Sequence, residues 1–475
     1  MIKFDKVSFK YDNSAEGCLN NISFNINKGE CVLLCGESGC GKTTITRMIN
    51  GLIPHFYEGN NQGTVLVNQM DIAATPLEVI SKSVGSVFQN PRSQFFCVDT
   101  TGELAFGPEN MCLPEEEIKA RVNRVAKEFD MEKLLNRNIF NLSGGEKQKI
   151  ACGGVSTIDP EVVVLDEPTA NLDEDAIVQM KKVLKIWKSA GKTIVIAEHR
   201  LSWLKEIADR VIYLKDGCIE MDISGENFFK IQDDKLNEYG LRSLKLKDNY
   251  LDFPRGLSSL HPEMDEMFKK EEDYILSNFK YRYKKGFNVL NIDEIRIPEH
   301  AVVAVVGHNG AGKSTFSQCL CGIRKGFKGC IEKGGKKYSR GKLRQLTYMV
   351  MQDVNHQLFT DSVMEEIVLG MDEEDEVLGE EVLKKMDLDQ FKERHPMSLS
   401  GGQKQRTAIC SAYLSQRKII IFDEPTSGLD YKRMNETASL IKEIVKDKTV
   451  FVVTHDMELI QKCCTHILHI EEGVI

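Results

Sequence analysis

Short runs of valine, isoleucine and leucine recur along this chain and alternate with stretches of helical character. The run Val162-Val163-Val164-Leu165 is apolar at every position, and similar runs lie at 193–197, 419–422 and 450–453. A strand that is apolar on both faces is typical of a parallel sheet covered by helices on each side. The pattern therefore predicts an α/β fold with a largely parallel sheet, and it occurs twice.

The two occurrences share a glycine-rich motif. Gly36 to Thr43 and Gly307 to Ser314 both fit the pattern G-x-x-x-x-G-K-[ST]. Each motif follows an apolar run, at 31–35 and 301–306, and precedes a helical stretch, which is the context that a phosphate-binding loop requires. Two such copies in one chain indicate an internal repeat.

Further motifs follow each phosphate loop in the same order. They are a glutamine after a strand (Gln89, Gln352), Leu-Ser-Gly-Gly (142–145, 399–402), an apolar strand ending in Asp-Glu-Pro-Thr (166–169, 423–426), a Leu-Asp pair (172–173, 429–430) and a strand followed by histidine (His199, His455). The Leu-Ser-Gly-Gly and Asp-Glu-Pro-Thr motifs are both displaced by 257 residues between the copies. We therefore expect two domains, residues 1–225 and 274–475, joined by a helical extension and linker at 226–273.

The phosphate loops predict nucleotide binding. Glycines let backbone N–H groups converge on a phosphate, and the following helix adds the positive end of its dipole. Lys42 and Lys313 are expected to reach the β- and γ-phosphate oxygens, and the hydroxyls of Thr43 and Ser314 are expected to contact Mg²⁺. The residues expected to line the nucleotide in the two loops are Gly36, Ser38, Gly39, Cys40, Gly41, Lys42, Thr43, Thr44, Gly307, Asn309, Gly310, Ala311, Gly312, Lys313, Ser314 and Thr315.

The acidic pair that ends each later strand predicts hydrolysis. Asp166 and Asp423 end apolar strands, so their carboxylates emerge at the carboxyl edge of the sheet, where they can hold the Mg²⁺ shell. The adjacent Glu167 and Glu424 point to the other side of the strand and could orient or deprotonate an attacking water. Since both glutamates are present, both copies are expected to be catalytic.

The Leu-Ser-Gly-Gly segments predict a second contact with phosphate. Ser143 and Ser400 are favourable helix N-caps. The glycines that follow them leave backbone N–H groups open to an anion; these glycines are Gly144, Gly145, Gly401 and Gly402. The segment has no basic residue among these positions, so the phosphate would have to be supplied from elsewhere.

Composition narrows the class of protein. The 62 Lys and Arg against 71 Asp and Glu give a net charge of −9, which disfavours a nucleic-acid or lipid-surface binder. The longest apolar run has six residues, at 301–306, far short of the roughly 20 that cross a bilayer. No secretory signal precedes the first strand pattern, so we expect a cytosolic chain. The 14 cysteines include no Cys-x-x-Cys pair and are expected to be reduced core residues, except Cys40, whose place in a phosphate loop predicts a thiol open to alkylation.

Together these motifs resemble the nucleotide-binding domains of the ABC (ATP-binding cassette) superfamily, over nearly all of the chain outside the linker. The resemblance implies an ATP hydrolase with two P-loop NTPase domains, each with a mainly parallel sheet, an antiparallel β part and a helical subdomain. It also implies head-to-tail pairing, in which Ser143 and Gly145 close on ATP held by Lys313. In the same way, Ser400 and Gly402 would close on ATP held by Lys42.

The resemblance also assigns roles to single residues. Gln89 and Gln352 match the Q-loop, which senses the γ-phosphate and Mg²⁺, while His199 and His455 match the switch histidine. The expected Mg²⁺ ligands are Thr43, Gln89 and Asp166 in the first copy and Ser314, Gln352 and Asp423 in the second. The D-loop aspartates are Asp173 and Asp430. The aromatic residue expected to stack on adenine is Tyr11 in the first copy and Tyr283, with Tyr281 as the alternative, in the second.

A finer resemblance lies after each Q-loop glutamine. The segments at 89–96, 103–110 and 352–359, together with Glu198-His199-Arg200-Leu201, are similar to the ATPases of energy-coupling factor (ECF) importers. Those systems take up vitamins and trace-metal ions with paired ATPases, a transmembrane coupling subunit and a substrate-binding membrane subunit. The resemblance therefore implies a motor subunit bound peripherally to the cytoplasmic face of the cell membrane.

Three other classes remain open. Sugar-type tandem transport ATPases share the motifs, and soluble tandem ABC factors of translation also lack a membrane span. The latter typically carry Asn-His-Leu-Asp in the D-loop, where this chain has residues 170–173 and 427–430 without that histidine. DNA-organising ATPases typically insert long coiled coils between the phosphate loop and Leu-Ser-Gly-Gly, whereas only 101 and 87 residues separate Lys42 from Ser143 and Lys313 from Ser400. The copies also differ, with Glu198 in place of Thr454 and Lys149 in place of Arg406, so equal turnover at both sites is an open question.

Overall fold

The computed structural model describes residues 1–12, 17–170, 172–245, 252–262, 273–282, 288–371 and 373–475. The described chain divides near residue 245 into two compact units. The predicted adenine partner Tyr283 lies outside the described residues. The other predicted nucleotide and metal ligands are described.

The first unit contains two sheets and nine described helices. Its strands are β1 Ile2–Tyr11, β2 Leu19–Ile26, β3 Cys31–Gly36, β4 Gly59–Val67, β5 Met70–Asp71, β6 Val84–Val87, β7 Val162–Asp166, β8 Thr193–Ala197, β9 Arg210–Lys215 and β10 Cys218–Ser224. Its helices are α1 Lys42–Ile49, α2 Leu52–His55, α3 Leu77–Ser83, α4 Thr100–Asn110, α5 Glu115–Glu128, α6 Gly144–Ile158, α7 Glu174–Ser189, α8 Gly225–Phe228 and α9 Asp233–Glu238.

The larger sheet of the first unit has the strand order β10-β9-β3-β8-β7-β6. It is parallel from β9 to β6, and β10 joins its edge antiparallel. The strands β3, β7 and β8 are almost wholly buried, because side chains on both of their faces pack into hydrophobic clusters. The second sheet, β2-β1-β4-β5, is antiparallel.

The second unit repeats this architecture. Its strands are β11 Gly256–Ser259, β12 Tyr274–Arg282, β13 Asn288–Ile297, β14 Val302–Val306, β15 Lys328–Lys333, β16 Lys336–Tyr338, β17 Thr347–Val350, β18 Ile419–Asp423, β19 Thr449–Val453 and β20 His466–His469. Its helices are α10 Lys313–Leu320, α11 Arg340–Leu346, α12 Val363–Val368, α13 Glu376–Lys385, α14 Gly401–Leu414, α15 Tyr431–Ile444 and α16 Met457–Cys463.

The sheets of the second unit have the orders β11-β20-β14-β19-β18-β17 and β13-β12-β15-β16. The first is parallel except at β11, and the second is antiparallel. The predicted fold class is therefore confirmed: each unit has a mainly parallel sheet, an antiparallel sheet and a group of helices between the Q-loop glutamine and the Asp-Glu strand.

The segment expected to be a linker contributes to both units. Phe228, Leu236 and Leu241 are buried in the core of the first unit. Residues 256–259, however, form β11, which pairs with β20 at the edge of the second unit's sheet. The sequence Gly-Leu-Ser-Ser has no alternation of apolar and polar residues, so only its hydrogen bonds to β20 define it as a strand.

Candidate active site

Each phosphate loop connects a buried central strand to a helix. In the first unit the loop runs from the end of β3 into α1, and Gly36 has a φ of 147°. A Cβ atom on Gly36 would lie 2.2 Å from the carbonyl oxygen of Leu214, and one on Gly307 would lie 2.0 Å from that of Ile470. Only glycine therefore fits at the start of either loop.

The loop lysines are held by backbone carbonyl groups. Lys42 Nζ donates to the carbonyl oxygens of Gly36 and Glu37, each at 2.9 Å. Lys313 Nζ makes the equivalent bonds to Gly307 at 2.6 Å and His308 at 3.0 Å. Both lysines are buried. The loops thus present an ammonium group of fixed position, as the sequence predicts for a phosphate ligand.

Cys40 departs from its predicted reactivity. Its side chain is only 4% exposed, and its Sγ lies 3.8 Å from Lys42 Nζ. Burial raises the pKa of the Cys40 thiol, although the nearby Lys42 charge opposes the rise. Since alkylation requires an accessible thiolate, the expectation of a readily alkylated thiol is wrong. Contact between Cys40 and a nucleotide stays a prediction, and we expect it to involve the Cys40 backbone.

The two strand-end aspartates are buried with raised pKa values. Burial, together with the charge of Glu167, raises the pKa of Asp166 to about 6, and Thr43 Oγ1 donates to its Oδ1 at 3.2 Å. Burial also raises the pKa of Asp423 to about 6, against the attraction of Lys313. A buried carboxylate that is hard to ionise by itself is a favourable partner for a bound cation.

The glutamate after each aspartate meets the residues that the motifs single out. Gln89 Nε2 donates to Glu167 Oε2 at 2.7 Å, and His199 Nε2 lies 3.3 Å from Glu167 Oε1. Burial raises the pKa of Glu167, but the charge and hydrogen bond of His199 and the charge of Lys42 oppose that effect, so the pKa is lowered overall. The carboxylate is thus kept ionised, as a general base needs.

The second unit has a looser version of this cluster. His455 Nε2 lies 3.8 Å from Glu424 Oε1, and Thr454 Oγ1 donates to Glu424 Oε2 at 3.3 Å. Glu167 and Glu424 both adopt left-handed backbone conformations, with φ values of 45° and 52°. Such strain in a residue other than glycine is often found at functional sites. Gln352 follows β17 at the position that Gln89 has after β6.

The Leu-Ser-Gly-Gly serines are N-caps, as predicted. Ser143 begins α6 and Ser400 begins α14, each in a capping box with the residue three positions later. Gly145 has an additional packing role, because a Cβ atom there would lie 2.7 Å from Ala176 Cβ. The backbone N–H groups at these helix starts are suited to binding an anion. The phosphate itself would have to come from a nucleotide that is held by another segment.

Tyr11 belongs to a polar cluster that the sequence does not reveal. Its hydroxyl lies 3.3 Å from Thr44 Oγ1 and accepts a hydrogen bond from Arg47 Nη1 at 3.1 Å. The Arg47 guanidinium also lies 4.1 Å from the centre of the Tyr57 ring. Arg47 is one helical turn after Thr43, and that spacing is the one sequence signal that could have identified it. In the second unit, Arg324 lies 5.7 Å from the ring of Tyr281.

Buried glutamates fix the segment that follows each Q-loop glutamine. Glu103 Oε2 accepts hydrogen bonds from the backbone N–H groups of Phe96 at 2.9 Å and Cys97 at 2.8 Å. Glu366 Oε2 does the same for Phe359 at 2.8 Å and Thr360 at 3.0 Å. These glutamates are 263 residues apart, as are the two glutamines, so the internal repeat contains the signal that would have identified them.

The ligands present fit Mg²⁺ bound together with a nucleotide. Thr43, Gln89 and Asp166 offer a hydroxyl, an amide and a carboxylate oxygen, which are hard ligands. Among the described residues, no group of three or more His, Cys, Asp or Glu side chains could hold a metal by itself. Mg²⁺ usually retains water and binds through one or two protein ligands and substrate phosphates, and this donor set suits such a site.

Comparisons with known proteins agree with the geometry. The family model described as ABC transporter matches residues 19–170 and 290–427. A Treponema denticola protein named, by inference, as an ABC transporter ATP-binding protein is 44% identical over all of this chain and 96% of its own length. A Bacillus subtilis protein, named by inference as the HMP/thiamine import ATP-binding protein YkoD, is 31% identical over 98% of this chain and 89% of its own.

A solved structure called RNase-L Inhibitor has a TM-score of 0.62 to this chain, at 19% identity, and covers 99% of this chain and 89% of its own. At that identity the likeness concerns the fold alone. Fold and site together define a tandem P-loop ATPase. The chain belongs to the ABC transporter family of ATP-binding proteins, whose members hydrolyse ATP. No helix in the described part of the chain is both long and apolar enough to cross a membrane.

Proposed function

We propose that this chain is the ATP-hydrolysing motor subunit of an ECF-type importer, which takes up a vitamin or a trace-metal ion. The name of the Bacillus subtilis relative, which refers to import of HMP and thiamine, supports an importer. The observation that carries the proposal is a pair of exposed aromatic residues, each seven residues after a Q-loop glutamine. They are Phe96, 74% exposed, and Phe359, 72% exposed.

The backbone is fixed at both phenylalanines, and the Phe96 ring is also stacked on a neighbouring ring. Glu103 and Glu366 bind their backbone N–H groups, and the Phe96 ring stacks on Phe106 with 4.7 Å between centroids. An apolar side chain that is exposed yet fixed loses little conformational entropy on binding, as in the hot spots of protein interfaces. We assign both as docking residues for a transmembrane coupling subunit, which is in turn associated with a substrate-binding membrane subunit.

The proposed mechanism connects this docking surface to the site. Phe96 lies seven residues after Gln89, which donates to Glu167, so a change at the γ-phosphate can reach the docking residues through one short segment. Lys42 and Lys313 hold the phosphates, Glu167 and Glu424 accept the proton of the attacking water, and His199 and His455 orient those glutamates. Thr43, Gln89 and Asp166, with Ser314, Gln352 and Asp423 in the second unit, would hold Mg²⁺, and the bound ion would supply charge neutralisation at the transferred phosphoryl group.

Hydrolysis would be converted into movement by pairing of the two domains. Under the family expectation, each Leu-Ser-Gly-Gly segment completes the ATP site of the other domain. ATP would then stabilise a closed pair, and loss of the γ-phosphate would release it. The chain would work at the cytoplasmic face of the cell membrane.

Site-directed crosslinking tests the docking assignment. Cysteine is placed at Phe96 or Phe359 in a chain whose exposed Cys112 and Cys218 are replaced by serine. Val178 on α7, 51% exposed, provides a matched control position outside the motifs. We expect membrane-subunit adducts from 96 and 359, at different places on the partner, and none from 178. Equal adducts from 178, or none from 96 and 359, would refute the docking assignment.

A further inference from the structure

A buried carboxylate connects the two segments that carry the proposed base and the proposed switch histidine. In the first unit this is Glu198, 2% exposed, which accepts a hydrogen bond from Thr169 Oγ1 at 2.6 Å. Its other oxygen accepts from the backbone N–H groups of His199 at 2.8 Å and Arg200 at 3.2 Å. Thr169 is two residues after Glu167. The Glu198 side chain therefore links the backbone of His199 to the loop that carries Glu167.

The second unit makes the same contact from a different position. Asp456, 4% exposed, accepts a hydrogen bond from Thr426 Oγ1 at 2.8 Å. Thr426 is the counterpart of Thr169, yet Asp456 follows His455, whereas Glu198 precedes His199. At the position of Glu198, the second unit has Thr454, which donates to Glu424. Both units thus have a buried carboxylate bonded to the threonine, but it precedes the histidine in the first unit and follows it in the second.

In the second unit, the residues on both sides of the histidine face the loop that carries the base, because Thr454 donates to Glu424 and Asp456 accepts from Thr426. A carboxylate can therefore reach this loop from either position. Burying a carboxylate is costly unless hydrogen bonds satisfy it, and an apolar side chain would fill a purely structural position at lower cost. Burial raises the pKa of Glu198, and the hydrogen bond from Thr169 opposes the rise. Asp456 also caps α16, because its Oδ1 accepts from the backbone N–H of Leu459 at 3.3 Å, whereas Glu198 caps no described helix. Helix capping therefore does not account for the contact with the threonine that both carboxylates make.

We propose that Glu198 and Asp456 are positioning residues that hold His199 and His455 against Glu167 and Glu424, and that the carboxylate can act from either side of the histidine. The proposal rests on the catalytic roles proposed above for those histidines and glutamates. We call the hydrogen bond between this carboxylate and the threonine the carboxylate bridge. The distance that it controls, from the histidine Nε2 to the glutamate Oε1, is 3.3 Å in the first unit and 3.8 Å in the second. Misplacement of a catalytic group by about 1 Å can cost as much as 100-fold in rate.

Two full-length variants separate loss of the carboxylate from its relocation. The first combines Glu198→Thr with Asp456→Arg and has no carboxylate beside either histidine. The second adds Arg200→Asp and Thr454→Glu, so that each domain carries the sequence that the other has naturally. We expect kcat for ATP to fall about tenfold or more in the first variant and to stay within about threefold of wild type in the second. KM and the affinity for a fluorescent ATP analogue should change little in either, because the phosphate loops are untouched.

The proposal is overturned if the first variant keeps the wild-type kcat, or if the kcat of the second variant is as low as that of the first. Should the first variant fail to fold, the threonines offer another test. Thr169→Val with Thr426→Val removes both hydroxyls at constant shape and should lower kcat, whereas Thr169→Ser with Thr426→Ser should preserve it. A valine variant with wild-type kcat refutes the bridge. Wild-type kcat in His199→Ala with His455→Ala would instead refute the histidine roles proposed above, while the relocation comparison still supports or overturns the bridge.

Discussion

Asp423→Asn should stabilise the nucleotide-free second unit while it abolishes Mg²⁺-dependent hydrolysis. Burial raises the pKa of Asp423 to about 6 from the ordinary 3.8, so the ionised carboxylate is disfavoured in the folded state. Below pH 3.8 the group is protonated in folded and unfolded chains alike, and it has no effect. As the pH rises through 6, the cost of ionisation in the folded chain develops fully and reaches about 3 kcal/mol. Asparagine fills the same space without a charge and removes that cost.

The predicted difference depends on pH. At pH 7.5, Asp423→Asn should raise the free energy of unfolding by up to about 3 kcal/mol, and at pH 5 by about half of that. The two tryptophans, Trp187 and Trp203, both lie in the first unit and cannot report on the second. Hydrogen exchange of peptides that contain β18 and β19 reports on the second unit, and peptides from β7 and β8 provide an internal control.

The assay has a clear numerical expectation. A gain of 3 kcal/mol slows exchange through unfolding about 100-fold at pH 7.5, and the gain at pH 5 slows it about tenfold. The matched control is Asp389→Asn, which neutralises an exposed aspartate of the same unit and should change nothing. Faster exchange in Asp423→Asn at pH 7.5, or a difference that does not shrink at pH 5, would refute this account of the buried carboxylate.

The remaining predictions concern the base and the cysteines. Glu167→Gln with Glu424→Gln should retain ATP binding and lose about 100-fold or more in hydrolysis, because glutamine cannot accept the proton; radiolabelled ATP retention and phosphate release measure the two effects, and near wild-type turnover would contradict the assignment. Cys40 should react with iodoacetamide far more slowly than the exposed Cys112 and Cys218, with or without ATP, because its thiol is buried; peptide mass spectrometry follows each site, and rapid Cys40 labelling would contradict the burial.

The strands around the site could be predicted almost residue by residue. The runs at 162–165 and 419–422 became β7 and β18, which gained only the terminal aspartates, and 193–197 became β8 unchanged. These strands are apolar on both faces, so burial alone defines them. The edge strand β11 was not predictable, because its pairing with β20 depends on a partner that is distant in sequence.

The site was predictable where the two copies match and obscure where they do not. Comparison of the copies identifies Gln89, Glu167 and His199, which the structure brings together. The same comparison conceals the carboxylate bridge, because Glu198 and Asp456 are at different positions relative to their histidines. The burial of Cys40 was also beyond the sequence, since a motif specifies the path of the backbone but not the direction of each side chain.

Co-purification tests the central claim most directly. The tagged chain is purified in mild detergent from membranes of cells that express it at its natural level, and bound proteins are identified by mass spectrometry. We expect a transmembrane coupling subunit and a smaller membrane protein that binds a vitamin or metal ion, retained by Val178→Asp and lost in Phe96→Asp with Phe359→Asp. Recovery with ribosomes or DNA, and without membrane proteins, would contradict the account.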